Sequence, residues 1–155
     1  MDNWRKFRRL AAGERGLLLR ALLLLPLTAL ALRLLGLRRW QSAVARLLAP
    51  GLASRERWPE AALERARLTA RMVQAAERHG LGRPNCLAES LVLWWLLRRQ
   101  GIASELRIGV RKQGNLLEAH AWVEHRGVVL NDLGGVHRHY APFHGSIAAA
   151  PAEPR

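Results

Sequence analysis

A chain of 155 residues, 50% hydrophobic and 24% charged, has the length and composition of one domain with a modest core, which excludes a disordered or fibrous polymer. The 25 Lys and Arg against 12 Asp and Glu leave a formal charge of +13, so acidic partners are open to it: nucleic acid, anionic lipid or an acidic peptide. A single cysteine, Cys86, excludes an intramolecular disulfide framework and a multi-cysteine zinc site, and a reducing, cytoplasmic setting is the simplest expectation.

The first long feature is the leucine-rich run 17–37, LLLRALLLLPLTALALRLLGL. Arg20 and Arg33 interrupt it and leave Ala21 to Leu32 as the longest uncharged stretch, short of the roughly 20 residues a bilayer requires. Pro26 is expected to kink a helix there, and no small-residue cleavage site follows in the manner of a secretory signal. Three readings stand: a buried helix of the domain, an interfacial helix on anionic lipid, or a tilted span with snorkelling arginines. Residues 1–40 hold nine Lys and Arg against Asp2 and Glu14, which keeps membrane contact through 17–37 open.

Trp40 to Leu48 reads as a short helix closed by a turn at Pro50-Gly51, and Ser54 as a possible cap. Glu60 to Arg78 is amphipathic, with Ala62, Leu63, Ala66, Met72, Val73 and Ala76 at near-helical spacing, and His79-Gly80 ends it. Pro84 and Asn85 are helix-start signals, so Cys86 falls at the first turn of the apolar helix Leu87–Leu97. Unpaired N–H groups and the positive end of the helix dipole stabilise a thiolate there and supply donors to an oxyanion.

After Gly101 the period changes to two. Leu106, Ile108 and Val110 alternate with Arg107, Gly109 and Arg111, a turn follows at 112–115, and Leu116–Glu124 is a second strand with His120, Trp122 and Glu124 on one face. A turn at His125-Arg126-Gly127 leads to a third strand, 128–132. Pairing across that turn sets Asp132 opposite Ala119–Ala121, beside His120. Cys86, His120 and Asp132 are then a nucleophile, a base and its orienter. Trp122 shares the face of His120 and is a candidate wall of a substrate groove, and Glu89, one turn into the helix, is a candidate supporting residue. His137, His139 and His144 lie close in sequence, but no acid or cysteine is near, so no metal site and no cofactor is expected.

The order of Cys at a helix start, His in one strand and Asp at the end of the next resembles the papain-like, transglutaminase-like core. The strings Asn85-Cys86-Leu87, Ala119-His120-Ala121-Trp122-Val123 and Asn131-Asp132 are similar to those of lasso peptide biosynthesis leader peptidases in their stand-alone B2 form. The likeness runs from about Leu17 to Asp132, and residues after Asp132 match nothing in it. The resemblance implies an α+β fold, with an N-terminal helical region (1–80) packed on a catalytic helix plus a small antiparallel sheet (81–145), all within one domain, 1–155. It implies a cysteine peptidase that cuts a ribosomally made precursor between leader and core. Cys86 would attack, His120 would serve as base and then acid, and Asp132 would orient it, with the Cys86 backbone N–H as one oxyanion donor. Its partners would be the precursor peptide, a small leader-recognition protein of the stand-alone B1 type and the ATP-dependent cyclase, with no nucleic acid. A transglutaminase-like acyltransferase is the alternative chemistry. A non-enzymatic basic protein on membrane or nucleic acid is the alternative class, although the signatures of specific nucleic-acid recognition are missing.

Overall fold

The computed structural model describes residues 10–47, 59–80, 85–132 and 134–142, with side chains of 35–47 left aside. The expected cap at Ser54, the turn at Pro50-Gly51, Pro84 and His144 lie outside the described residues. Among the described residues three helices come first: α1 (Ala12–Leu47), α2 (Pro59–His79) and α3 (Cys86–Arg99). The strands β1 (Glu105–Gln113), β2 (Leu116–His125) and β3 (Val128–Val129) follow, then a 3-10 turn at Val136–His139 and the short strand β4 (Ala141–Pro142).

α1 corrects one expectation. The run 17–37 and the segment from Trp40 belong to one unbroken helix, and Pro26 sits inside it on the exposed side without ending it. A proline removes one backbone hydrogen bond, and packing outweighs that loss. Ala21, Leu25 and Thr28 of α1 are buried, one turn apart, in the seam with α2 and α3. The run is therefore buried on one side only, since Leu19, Leu23, Leu27, Leu30 and Leu34 remain exposed.

α2 meets its neighbours with Ala66, Ala70, Val73 and Ala76, small residues that let helix axes approach closely, while Glu64 and Arg67 pair on its outer face. α3 is the centre of the core: Leu91, Leu93, Leu96 and Leu97 are buried among α1, α2, Leu106 of β1 and Val123 of β2. An all-round apolar helix is buried all round, as its composition requires.

The antiparallel sheet has the order β3-β2-β1-β4. β1 and β2 pair from Glu105↔Glu124 to Gln113↔Leu116. The Arg126-Gly127 turn between β2 and β3 has positive φ at both positions (50° and 78°), the geometry of a tight type I′ hairpin. Because directly paired residues share a face, Leu106 with Val123 and Ile108 with Ala121 point toward α3, and Gly109 with His120 and Arg107 with Trp122 point away. β3 is shorter than expected. Its paired residues are Val128–Val129, the Leu130 N–H still donates to the Val123 carbonyl at 2.9 Å, and the Asn131 side chain then reaches α3. The chain then crosses the face that bears His120 and returns as β4 on the far edge of β1, a strand with no signal in the sequence.

Candidate active site

Asn131 and Ser90 tie α3 to the sheet. Where a longer β3 would have continued the ladder, the Asn131 side chain takes its place: Oδ1 accepts from the Val123 backbone N–H at 2.8 Å, and Nδ2 donates to Ser90 Oγ at 3.0 Å. Ser90 Oγ in turn donates to the Ala121 carbonyl at 2.9 Å. All three groups are buried, so each bond also prevents the loss from an unpaired polar atom. The first half of α3 is thus held at the outer edge of β2, beside the strand residue that follows His120.

Asn85 caps α3. Its backbone is extended (φ −78°, ψ 163°) and its Oδ1 accepts from Ala88 N at 2.9 Å, while its carbonyl accepts from Glu89 N. Cys86 is consequently the first helical residue and is partly exposed. It precedes Glu89 and Ser90 by three and four residues, so the three share one side of the helix, the side turned to the edge of β2.

His120 and Asp132 come together as expected, with Nε2 3.8 Å from Asp132 Oδ1. That distance is an ion-pair separation rather than a hydrogen bond, and Nε2 has no hydrogen-bond partner and is buried. The ring is held by aromatic neighbours, stacked on Trp122 at 6.0 Å between centroids and tilted against Tyr140 at 5.2 Å. Trp122 is only 3% exposed, and its Nε1 donates to Glu124 Oε1 at 2.7 Å. It backs the imidazole on the sheet face turned away from α3.

The second oxygen of Asp132 is occupied by a residue the sequence placed in a loop. His137 presents both its backbone N–H and its ring Nδ1 to Asp132 Oδ2, each at 2.5 Å. The carboxylate, 3% exposed, is fixed by the 3-10 turn and keeps Oδ1 for His120. Two imidazoles share one carboxylate, and among the described residues no cluster of His, Cys, Asp and Glu is arranged to hold a metal ion.

Glu89 is the other residue that sequence reasoning left undecided. It is 8% exposed, Oε1 has no partner, and burial first, then the negative charges of Glu77 and Asp132, push its carboxyl up to about 7, opposed by a hydrogen bond from Asn131. A charged residue in the middle of LAESLVLWWLL gave no sign of this, because the cause lies in elements distant in sequence.

Gly109 lies opposite His120 in the ladder, and a Cβ there would meet Tyr140 Cβ at 2.9 Å, Trp122 Cη2 at 3.0 Å and the Ala141 carbonyl at 3.1 Å. The glycine lets the crossing segment lie against the sheet and press Tyr140 onto the imidazole. Arg111 closes the outer rim, with its guanidinium 4.8 Å from the Tyr140 ring and 2.7 Å from Glu118, which raises its pKa further above the ordinary value.

A buried helix packed on an antiparallel sheet that carries a His–Asp pair defines an α+β fold with a papain-like core. The chain belongs to the transglutaminase-like superfamily, whose family model matches residues 29–144, well over half of its length. Membership brings the general chemistry of cysteine peptidases and acyltransferases. Comparison with the curated proteins and with the solved structures gives no significant match.

Proposed function

We propose that the protein is a cysteine peptidase that removes the leader from a ribosomally made lasso precursor peptide, acting with a separate leader-recognition protein. The observation that carries the reading is the His120–Asp132 pair, taken with the chain's one cysteine as the first residue of α3. The specific strings around these three residues supply the substrate class.

In this reading the Cys86 thiol, one turn before Ser90 on the same side of α3, reaches His120 around the edge of β2 to which Ser90 is bonded through Ala121. Nδ1 of His120 removes the thiol proton, and the resulting imidazolium is stabilised by Asp132 Oδ1. The thiolate attacks the scissile carbonyl. Ala88 N and Glu89 N are already engaged by Asn85, which leaves the N–H groups of Cys86 and Leu87 at the helix start, and that of Cys86 stabilises the oxyanion. Collapse of the tetrahedral adduct expels the core's amino terminus, which takes the proton from His120, and water then hydrolyses the thioester to free the leader.

The test is mass spectrometry of a synthetic precursor incubated with the full chain and the recognition protein. Wild type releases leader and core at one bond, and Cys86→Ala, with an unchanged circular dichroism spectrum, releases neither. Retained cleavage by Cys86→Ala overturns the reading. Superfamily membership also favours acyl transfer to an amine, and a leader-amide product on addition of a primary amine would replace hydrolysis by that reaction.

A further inference from the structure

One large surface has no part in the proposed cleavage. The outward side of α1 carries Leu19, Leu23, Leu27, Leu30 and Leu34, which are 51–73% exposed. Steps of four, four, three and four residues set these leucines within an arc of about 80° along the helix, opposite Ala21, Leu25 and Thr28 in the protein seam. Exposed arginines border the stripe on both sides, Arg20 along one margin and Arg15 and Arg33 along the other. A continuous apolar stripe of this size on a monomer marks an interaction surface.

We infer that this face docks the protein on an anionic lipid bilayer, with α1 parallel to the membrane and its leucines at the boundary between headgroups and acyl chains. Cations at both margins of an apolar stripe are the arrangement that lets arginines reach lipid phosphates while the leucines sink inward. The net charge of +13 draws the whole chain to the same surface.

Packing argues against a span. The inner side of α1 lies along α2 and α3, and crossing the bilayer would carry the exposed Glu64–Arg67 face of α2 into hydrocarbon. Pro26 also leaves a carbonyl without its helical donor, which interfacial water satisfies and lipid chains do not. Charge argues against a second copy, since apposing two such stripes brings arginine margins together without an acidic residue in the stripe to offset them.

The experiment is co-sedimentation of the full chain with extruded vesicles, either pure phosphatidylcholine or phosphatidylcholine mixed with phosphatidylglycerol. Wild type is expected to sediment with the mixed vesicles, less so as salt rises, and weakly with phosphatidylcholine alone. The double variant Leu23→Gln/Leu27→Gln, whose positions are exposed and leave the core intact, is expected to lose on the order of tenfold or more in partitioning with an unchanged circular dichroism spectrum. Arg20→Gln/Arg33→Gln is expected to lose the preference for the anionic mixture by roughly tenfold or more. The inference is overturned by no binding to the anionic vesicles, or by equal binding of the leucine variant. It is also overturned if the stripe instead mediates a dimer, seen by light scattering as a wild-type dimer that the leucine variant dissolves. Capture of the recognition protein without lipid, abolished by the same variant, would overturn it too, as would a membrane fraction that resists alkaline carbonate.

Discussion

Replacement of Glu89 by glutamine isolates the cost of a buried carboxylate next to the His–Asp pair. The side chain is 8% exposed with Oε1 unpartnered, and burial together with Glu77 and Asp132 raises its pKa from 4.5 to about 7. The folded state therefore holds the proton more tightly than the unfolded chain. The stabilisation from that proton is fully present below about 4.5 and is lost as pH rises through about 7, a displacement worth up to about 3 kcal/mol. Glutamine reproduces the shape and the neutrality of the protonated acid at every pH. Urea unfolding followed by tryptophan fluorescence is expected to give Glu89→Gln and wild type nearly equal stabilities near pH 5. Above about pH 8 the variant should be more stable by up to about 3 kcal/mol with an unchanged denaturant slope. A stability difference independent of pH, or a variant weaker than wild type at the alkaline end, would refute the reasoning.

Three further outcomes are expected. Asn131→Ala leaves the buried Val123 N–H without a partner and strips Ser90 Oγ of its donor while its bond to Ala121 remains, and urea unfolding should show a loss of roughly 1–3 kcal/mol. Gly109→Ala drives a methyl group into Tyr140 and Trp122; melting should reveal a loss of about 1–3 kcal/mol, and precursor cleavage should fall because Tyr140 no longer holds the imidazole. Asp132→Asn keeps the size of the side chain but removes the charge that steadies His120, so kcat for precursor cleavage should drop by on the order of 10² to 10⁴ while the protein still folds. A cleavage rate unchanged in Asp132→Asn would count against the proposed roles.

The parts of the fold legible in the sequence are those governed by neighbours a few residues apart. Alternation over Leu106–Val110 and the shared parity of His120, Trp122 and Glu124 mark β1 and β2, and Asn85 marks the start of α3. The His120–Asp132 proximity was legible because a tight turn fixes the register, even though the β3 ladder stops at Val129. What escaped depends on contacts between distant segments. The continuity of the run 17–37 with the segment from Trp40 escaped because local rules ignore the seam that holds Ala21, Leu25 and Thr28 against α2 and α3. Ala141-Pro142 has no strand propensity and is a strand only because β1 offers an edge. The raised carboxyl of Glu89 and the grip of His137 on Asp132 exist only once α2, α3 and the crossing segment are assembled.

The segment from Asp132 to Tyr140 fastens the aspartate at one edge of the sheet and, eight positions later, sets a tyrosine against the histidine that aspartate serves. A fusion or epitope inserted within it would detach the aromatic clasp while leaving Cys86, His120 and Asp132 themselves untouched. Insertions thus have more freedom at the 112–115 hairpin tip, where Leu116 and Leu117 already face solvent, than in the short bridge that crosses the face bearing His120.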